Sequence, residues 1–213
     1  MAAYTSSTAQ AHVPAGILAM RAAAPRRDVH ENSASGVRRA FAKGDELFGE
    51  GDTAEFFYKV VSGTVRTCKL LSDGRRQVDA FHLPGDIFGL ENGDEHRFTA
   101  EAVDDVVALA YRRSRFTSLV HDDPSFGDQL MSAMIQSLDR AHDHMVLLGR
   151  KTAQEKIATF LLDMSSRLAK GDRFDLPMQR TDIADHLGLT IETVSRTLTQ
   201  MARARGTKAG GTR

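Results

Sequence analysis

Glu192, Ser195 and Arg196 lie within five residues of one another, and their types suit the reading of base edges. A carboxylate can accept from the amino group of cytosine, and a guanidinium can grip O6 and N7 of guanine. A serine is small enough to approach a base or the methyl of thymine. The same residues admit a blander reading. Glu192 and Arg196 are four apart, the spacing of a helix-surface ion pair that contributes only a few tenths of a kcal/mol.

What decides between the two is whether the surrounding chain holds these side chains on one outward face. Ile183, Ala184 and Leu187 give a short helix one apolar face, with Thr181 and Asp182 near the positive end of its dipole. Gly188 breaks it, Leu189 can plug the gap between two helices, and Thr190 has the side-chain oxygen of an N-cap. In the helix that follows, Ile191, Val194, Leu198 and Met201 are spaced to point inward. That leaves Glu192, Thr193, Ser195, Arg196 and Thr199 outside. The segment from Gln179 to Met201 therefore reads as a helix-turn-helix.

The rest of the chain sets limits. Its 213 residues, 41% of them hydrophobic, make room for one large or two small domains with a real core. Lys+Arg and Asp+Glu are both 28, which disfavours a general polyanion binder, but charge is uneven. From Arg180 to Arg213 there are six Lys/Arg against three Asp/Glu, whereas acids cluster between residues 45 and 105. The single Cys68 excludes an internal disulfide and any four-cysteine metal site, and suits a reducing cytoplasm. Mid-strand, it reads as a buried, inert thiol. Residues 1–37 are rich in Ala, Ser and Thr and read as a flexible tail; the apolar run at 15–20 is too short for a membrane span. No membrane partner is expected.

Residues 38–123 alternate short apolar pieces with Gly-Asp and Asp-Gly turns, the punctuation of a small antiparallel barrel. Segments 56–61, 63–70, 77–83 and 106–111 are the expected strands, with Asp73-Gly74 as a hairpin turn. From Pro124 the period becomes helical. Met131, Met134, Leu138, Ala141, Met145 and Leu148 keep 3-4 spacing, as in a two-helix seam, although one apolar stripe could equally pack on its own barrel. A helix over 124–149 is followed by a hinge at Leu148-Gly149-Arg150, then by a helix over 151–169 with Ile157, Phe160, Leu161 and Met164 on one face and Gly171-Asp172 ending it. His142 and His144 point about 200° apart on a helix and cannot chelate together, and the other histidines are scattered. Neither a metal site nor a nucleophile with its base converges at a recognisable spacing, so no enzyme is expected.

The run Thr-Asp-Ile-Ala-Asp-His-Leu-Gly-Leu-Thr-Ile-Glu-Thr-Val-Ser-Arg, 181–196, resembles the DNA-reading segment of the Crp/Fnr family of bacterial transcription regulators. Glu192-x-x-Ser195-Arg196 resembles the Fnr and FixK branch. Upstream, Gly51-Asp52-x-x-x-x-Phe57-Tyr58-x-Val60-x-x-Gly63 resembles the family's cyclic-nucleotide-binding-like jelly roll.

The resemblance implies an α+β chain. It has a β jelly roll at 38–123, a long dimerisation helix at 124–149 and a helix-turn-helix domain of winged-helix type at 150–201. It also implies a homodimer on a TTGA-type inverted repeat in double-stranded DNA, controlling genes for low-oxygen metabolism through RNA polymerase. Glu192 and Arg196 would meet the G·C pair and Ser195 a thymine, with Arg180, Thr181, Thr190 and Thr193 at the DNA backbone. Residue types alone give only a G·C-containing site.

Nucleotide binders of the family carry Gly-Glu-Leu and a later Arg followed by a small residue. Here Phe88-Gly89-Leu90 lacks the acid, and Arg97 precedes Phe98, so no cyclic nucleotide is expected and Arg97 reads as a surface residue. One cysteine cannot hold the iron-sulfur cluster of oxygen-sensing relatives. No cofactor is assigned. A haem-dependent nitric-oxide regulator stays open, although no histidine is marked as its ligand. The family's two-stranded wing has no counterpart in residues 202–213, which read as a small, basic, flexible tail. A weakly binding reader, or a wing-deficient dominant-negative partner, is the corresponding expectation.

Overall fold

The computed structural model describes residues 36–169 and 174–209, so the readings of residues 1–35, of Gly171-Asp172 and of residues 210–213 lie outside the described residues. Eight strands come first: β1 (Val37–Phe41), β2 (Glu46–Phe48), β3 (Phe56–Ser62), β4 (Val65–Leu70), β5 (Arg76–His82), β6 (Ile87–Phe88), β7 (Thr99–Ala102) and β8 (Val106–Arg112). They form two four-stranded antiparallel sheets, ordered β1-β8-β3-β6 and β2-β7-β4-β5. The expected long strands are β3, β4, β5 and β8. β1, β2, β6 and β7 are additional. They are only two to five residues long, and in β7 (Thr-Ala-Glu-Ala) three of four residues are depleted in strands. Gly74, at φ 84°, turns the β4–β5 hairpin.

Aromatic rings fill the barrel. Phe48, Tyr58 and Phe88 lie 5.6–6.1 Å apart by ring centroid, His82 stacks on Phe88 at 4.5 Å, and His96 stacks on Phe48 at 3.6 Å.

Five α-helices follow: α1 (Phe116–Asp122), α2 (Pro124–Arg150), α3 (Ala153–Leu168), α4 (Arg180–Leu187) and α5 (Ile191–Ala209). Asp123 caps α2 by accepting from the Phe126 amide at 3.1 Å, and Pro124 supplies the preset φ of the first turn. The face of α2 that packs inside the chain carries Leu130, Ala133 and Leu147. Met131, Met134, Ile135, Leu138, Met145 and Val146 remain exposed, Leu138 at 56% and Met145 at 63%. The stripe therefore does not pack on its own barrel; the opposite face does.

Leu148 departs from the expected stripe. A straight helix drifts about 20° per heptad against a strict seven-residue repeat, and by Leu148 the side chain has turned inward. It is half-buried against the core of the C-terminal domain. Ile135, which the 3-4 pattern skips, takes its place on the open face.

Helix α2 also runs through the expected hinge. Gly149 is helical, and the chain breaks at Lys151 and Thr152, both extended. The cause is a new start signal. Thr152 accepts from the Glu155 amide at 3.4 Å, and the Glu155 carboxylate accepts from the Thr152 amide at 2.9 Å, a capping box that begins α3. At the other end, α5 continues to Ala209, so residues 202–209 are helical where a flexible tail was expected. Ala, Arg and Lys are strong helix formers, and a helix already nucleated propagates cheaply through them. Among the described residues no helix is long and apolar enough to cross a membrane.

Candidate nucleic-acid interface

The two short helices are held by groups that the sequence largely advertises. Ile183, Ala184, Leu187 and Val194 are buried, with Leu198 and Met201 half-buried in the same cluster. Gly188 closes α4 in the left-handed conformation (φ 60°, ψ 44°), which costs an L-residue with a Cβ about 1 to 2 kcal/mol. Leu189 packs between the helices, and its amide donates to the Ala184 carbonyl at 3.0 Å. The Thr190 hydroxyl accepts from the Thr193 amide at 3.2 Å and starts α5. Ile191 is the exception: it is 41% exposed, because the first turn of α5 extends past the core, and the buried Thr197 shares the inward face instead.

On the outer face the expected readers come together. Glu192 and Arg196 are exposed and Ser195 is half-buried. No ion pair joins Glu192 to Arg196 among the described residues, so the bland reading of that pair is not what the structure adopts. Its own backbone N–H and the Thr190 hydroxyl hold the Glu192 carboxyl below the usual carboxylate range. Arg180 reaches across from α4, its Nη1 3.3 Å from Ser195 Oγ. Thr181 and Thr190 are exposed at the two helix starts, where backbone amides favour a phosphate. Thr199, although outward, spends its hydroxyl on the Ser195 carbonyl at 2.9 Å.

Two supporting contacts are not legible in the sequence. Lys156 of α3 is buried and donates from Nζ to the Leu187 carbonyl at 3.0 Å, closing the C-terminal end of α4 where the helix dipole favours a cation. Its one legible sign is a lysine next to Ile157 on an apolar face. The other is Asp182, buried, whose partners lie on the barrel.

The remaining polar candidates are accounted for locally. Burial pushes the Cys68 thiol up to about 11, with Glu101 adding to the effect, as an inert thiol requires. Arg97 is exposed. His142 is exposed, while His144 stacks on His186 at 4.0 Å and bonds its carbonyl at 2.8 Å. Among the described residues no group of three His, Cys, Asp or Glu could hold a metal ion.

An antiparallel barrel, a long helix with an open apolar face and a helix-turn-helix with polar readers outside define a DNA-binding transcription regulator rather than an enzyme. The comparisons agree. Residues 38–123 match the cyclic nucleotide-binding domain and residues 155–211 the Crp-like helix-turn-helix domain. The nitrogen fixation regulation protein FixK of Azorhizobium caulinodans is 46% identical over 191 residues, covering 87% of this chain and 76% of the relative. FixK of Bradyrhizobium diazoefficiens is 45% identical over 172 residues, 79% of this chain and 73% of that one. Among solved structures, FixK2 from Bradyrhizobium japonicum superposes with a TM-score of 0.74 at 49% identity, covering 79% of this chain and 85% of that one. The chain belongs to the Crp/Fnr family of transcription regulators and is FixK-like within it.

Proposed function

We propose that the protein acts as a homodimer on a TTGA-type inverted repeat, controlling genes for low-oxygen metabolism by recruiting or obstructing RNA polymerase in the cytoplasm. The observation that carries this reading is the exposed stripe of Met131, Met134, Leu138, Ala141 and Met145 on α2, opposite the face that α2 packs inside its own chain. A second copy covers such a stripe by symmetry, and the two-fold sets two reading helices about one DNA turn, ~34 Å, apart. Glu192 and Arg196 then address the G·C pair and Ser195 a thymine, with Arg180, Thr181, Thr190 and Thr193 at the backbone.

No cyclic nucleotide is needed in this reading. Leu90 stands where the ribose would require an acid. The relatives' names, nitrogen fixation regulation protein among them, support the physiological setting.

The test is equilibrium binding to a TTGAT-N4-ATCAA duplex against a scrambled duplex at two salt concentrations, with no effector added. Tight, sequence-dependent binding by a species of dimer mass is expected. Weak binding that ignores sequence and vanishes with salt overturns the reading, because only phosphate attraction would survive.

A further inference from the structure

Asp182 serves two elements at once. Its Oδ2 accepts from the Gln179 amide at 3.2 Å, closing the first turn of α4. Its Oδ1 accepts from Arg66 Nη1 at 2.9 Å and from Arg76 Nη2 at 2.6 Å, and the carboxylate is 4% exposed. Both arginines belong to the barrel, Arg66 on β4 and Arg76 on β5. Arg76 also reaches Asp185 at 2.8 Å, three residues further along α4, and Arg66 is held by Glu101 of β7 at 2.8 Å. Around this clasp Gln77 donates to the His186 carbonyl at 3.3 Å, and His186 Nδ1 donates to the Val78 carbonyl at 3.1 Å. Phe81 and Val78 share one apolar cluster with Ile183 and Leu187.

The covalent route from α2 to α3, in contrast, passes through the extended pair Lys151 and Thr152. A two-residue link leaves the direction of the following helices open. A planar guanidinium on a fixed strand, gripping a carboxylate in the first turn of a helix, removes that freedom because its donors have a set geometry.

We infer that Arg66 and Arg76 are positioning residues for DNA reading. By holding Asp182 and Asp185 they set the angle of the helix-turn-helix against the barrel, and hence, across the α2 seam, the separation of the two reading helices. This rests on the homodimeric reading above. Each added base pair displaces the second half-site by about 3.4 Å and turns it by about 35°, so a clasped dimer tolerates one spacing and an unclasped dimer several.

The experiment is binding of the full-length wild type, Arg76→Gln, Asp182→Asn and Arg66→Lys/Arg76→Lys to inverted repeats with spacers from two to six base pairs and to a duplex with one half-site, with a melting curve for each. The wild type should show one optimum. In Arg76→Gln the preference for that optimum over its neighbours should fall on the order of tenfold, towards parity, while half-site affinity stays within about twofold; Asp182→Asn should lose the same preference. The double lysine variant, which keeps charge but loses the fork, should recover part of the preference. An unchanged spacing profile overturns the inference. So does a loss equal at every spacing and at the half-site together with a lower melting temperature, since that is a folding role alone. A wild type with no spacing preference at all removes the dimeric reading itself, and this inference with it.

Discussion

At the scale of single residues, what separates the candidate base readers from the groups that support them is where their polar atoms are spent. Glu192 and Arg196 are exposed and form no ion pair with each other among the described residues; the Glu192 carboxylate accepts from its own backbone N–H and from Thr190 but has further lone pairs for a base, whereas Thr199 gives its hydroxyl to its own helix. Lys156 is the opposite case, a buried cation whose role is to satisfy the Leu187 carbonyl. Lys156→Met should keep most of the packing volume but leave that carbonyl without its partner. A loss of about 1 to 3 kcal/mol in denaturant unfolding is expected, together with weaker site-specific DNA binding, since α4 supports the reading helix. Unchanged stability in the methionine variant would show that the bond is not a capping contact of consequence.

At the scale of elements, α2 carries apolar side chains on two faces, and the homodimer proposed above gives the second face its partner. Leu130 and Leu147 tie it to the rest of its own chain, and the methionine stripe is left over. Burying Leu138 and its neighbours against a second copy removes several large apolar side chains from water, each contributing about 1.5 to 3 kcal/mol before the entropic cost of association. A charge at the middle of that face reverses the balance. Leu138→Glu should elute at monomer mass and lose the inverted repeat while its circular dichroism remains that of the wild type, because an exposed glutamate is a good helix residue. A dimer retained in Leu138→Glu would move the seam elsewhere.

At the scale of the whole molecule, the barrel and the DNA-binding domain share one apolar cluster and so respond together to conditions. His82 sits inside the barrel, its Nε2 3.1 Å from Thr67 Oγ1, and burial lowers its pKa to about 4; burial also takes His186, at the domain junction, to about 3. Both histidines are neutral in the folded chain, whereas the unfolded chain takes up their protons near pH 6.5. Their contribution is therefore complete above pH 6.5 and is lost as pH falls towards the folded values, His82 alone accounting for about 2 kcal/mol between pH 7.5 and 5. Asp79, whose carboxyl burial raises, works in the opposite direction, so the comparison with His82→Gln isolates the histidine. Denaturant midpoints of the wild type should fall across this range more steeply than those of the variant. Parallel slopes would remove His82 from the account.

Sequence alone determined the helix-turn-helix, its Thr190 and Gly188 boundaries, the outward placement of Glu192 and Arg196, and the β4–β5 hairpin. Each of these is written in local periodicity or in one residue's backbone preference, energies that act within a few positions. The break at Lys151 is equally local, and the Thr152 and Glu155 capping box is a stronger signal for it than Gly149. Tertiary structure decided what no local pattern encodes. It packed Leu130 and Ala133 of α2 on the barrel and left the stripe from Met131 to Met145 open, and it gave a carbonyl to Lys156 from 31 positions away. It also joined Asp182 to Arg76 and Arg66 across 106 and 116 residues. Such pairs form only because packing two domains strips water from charges that would otherwise remain solvated, and the cost of leaving them unpaired then selects the partner.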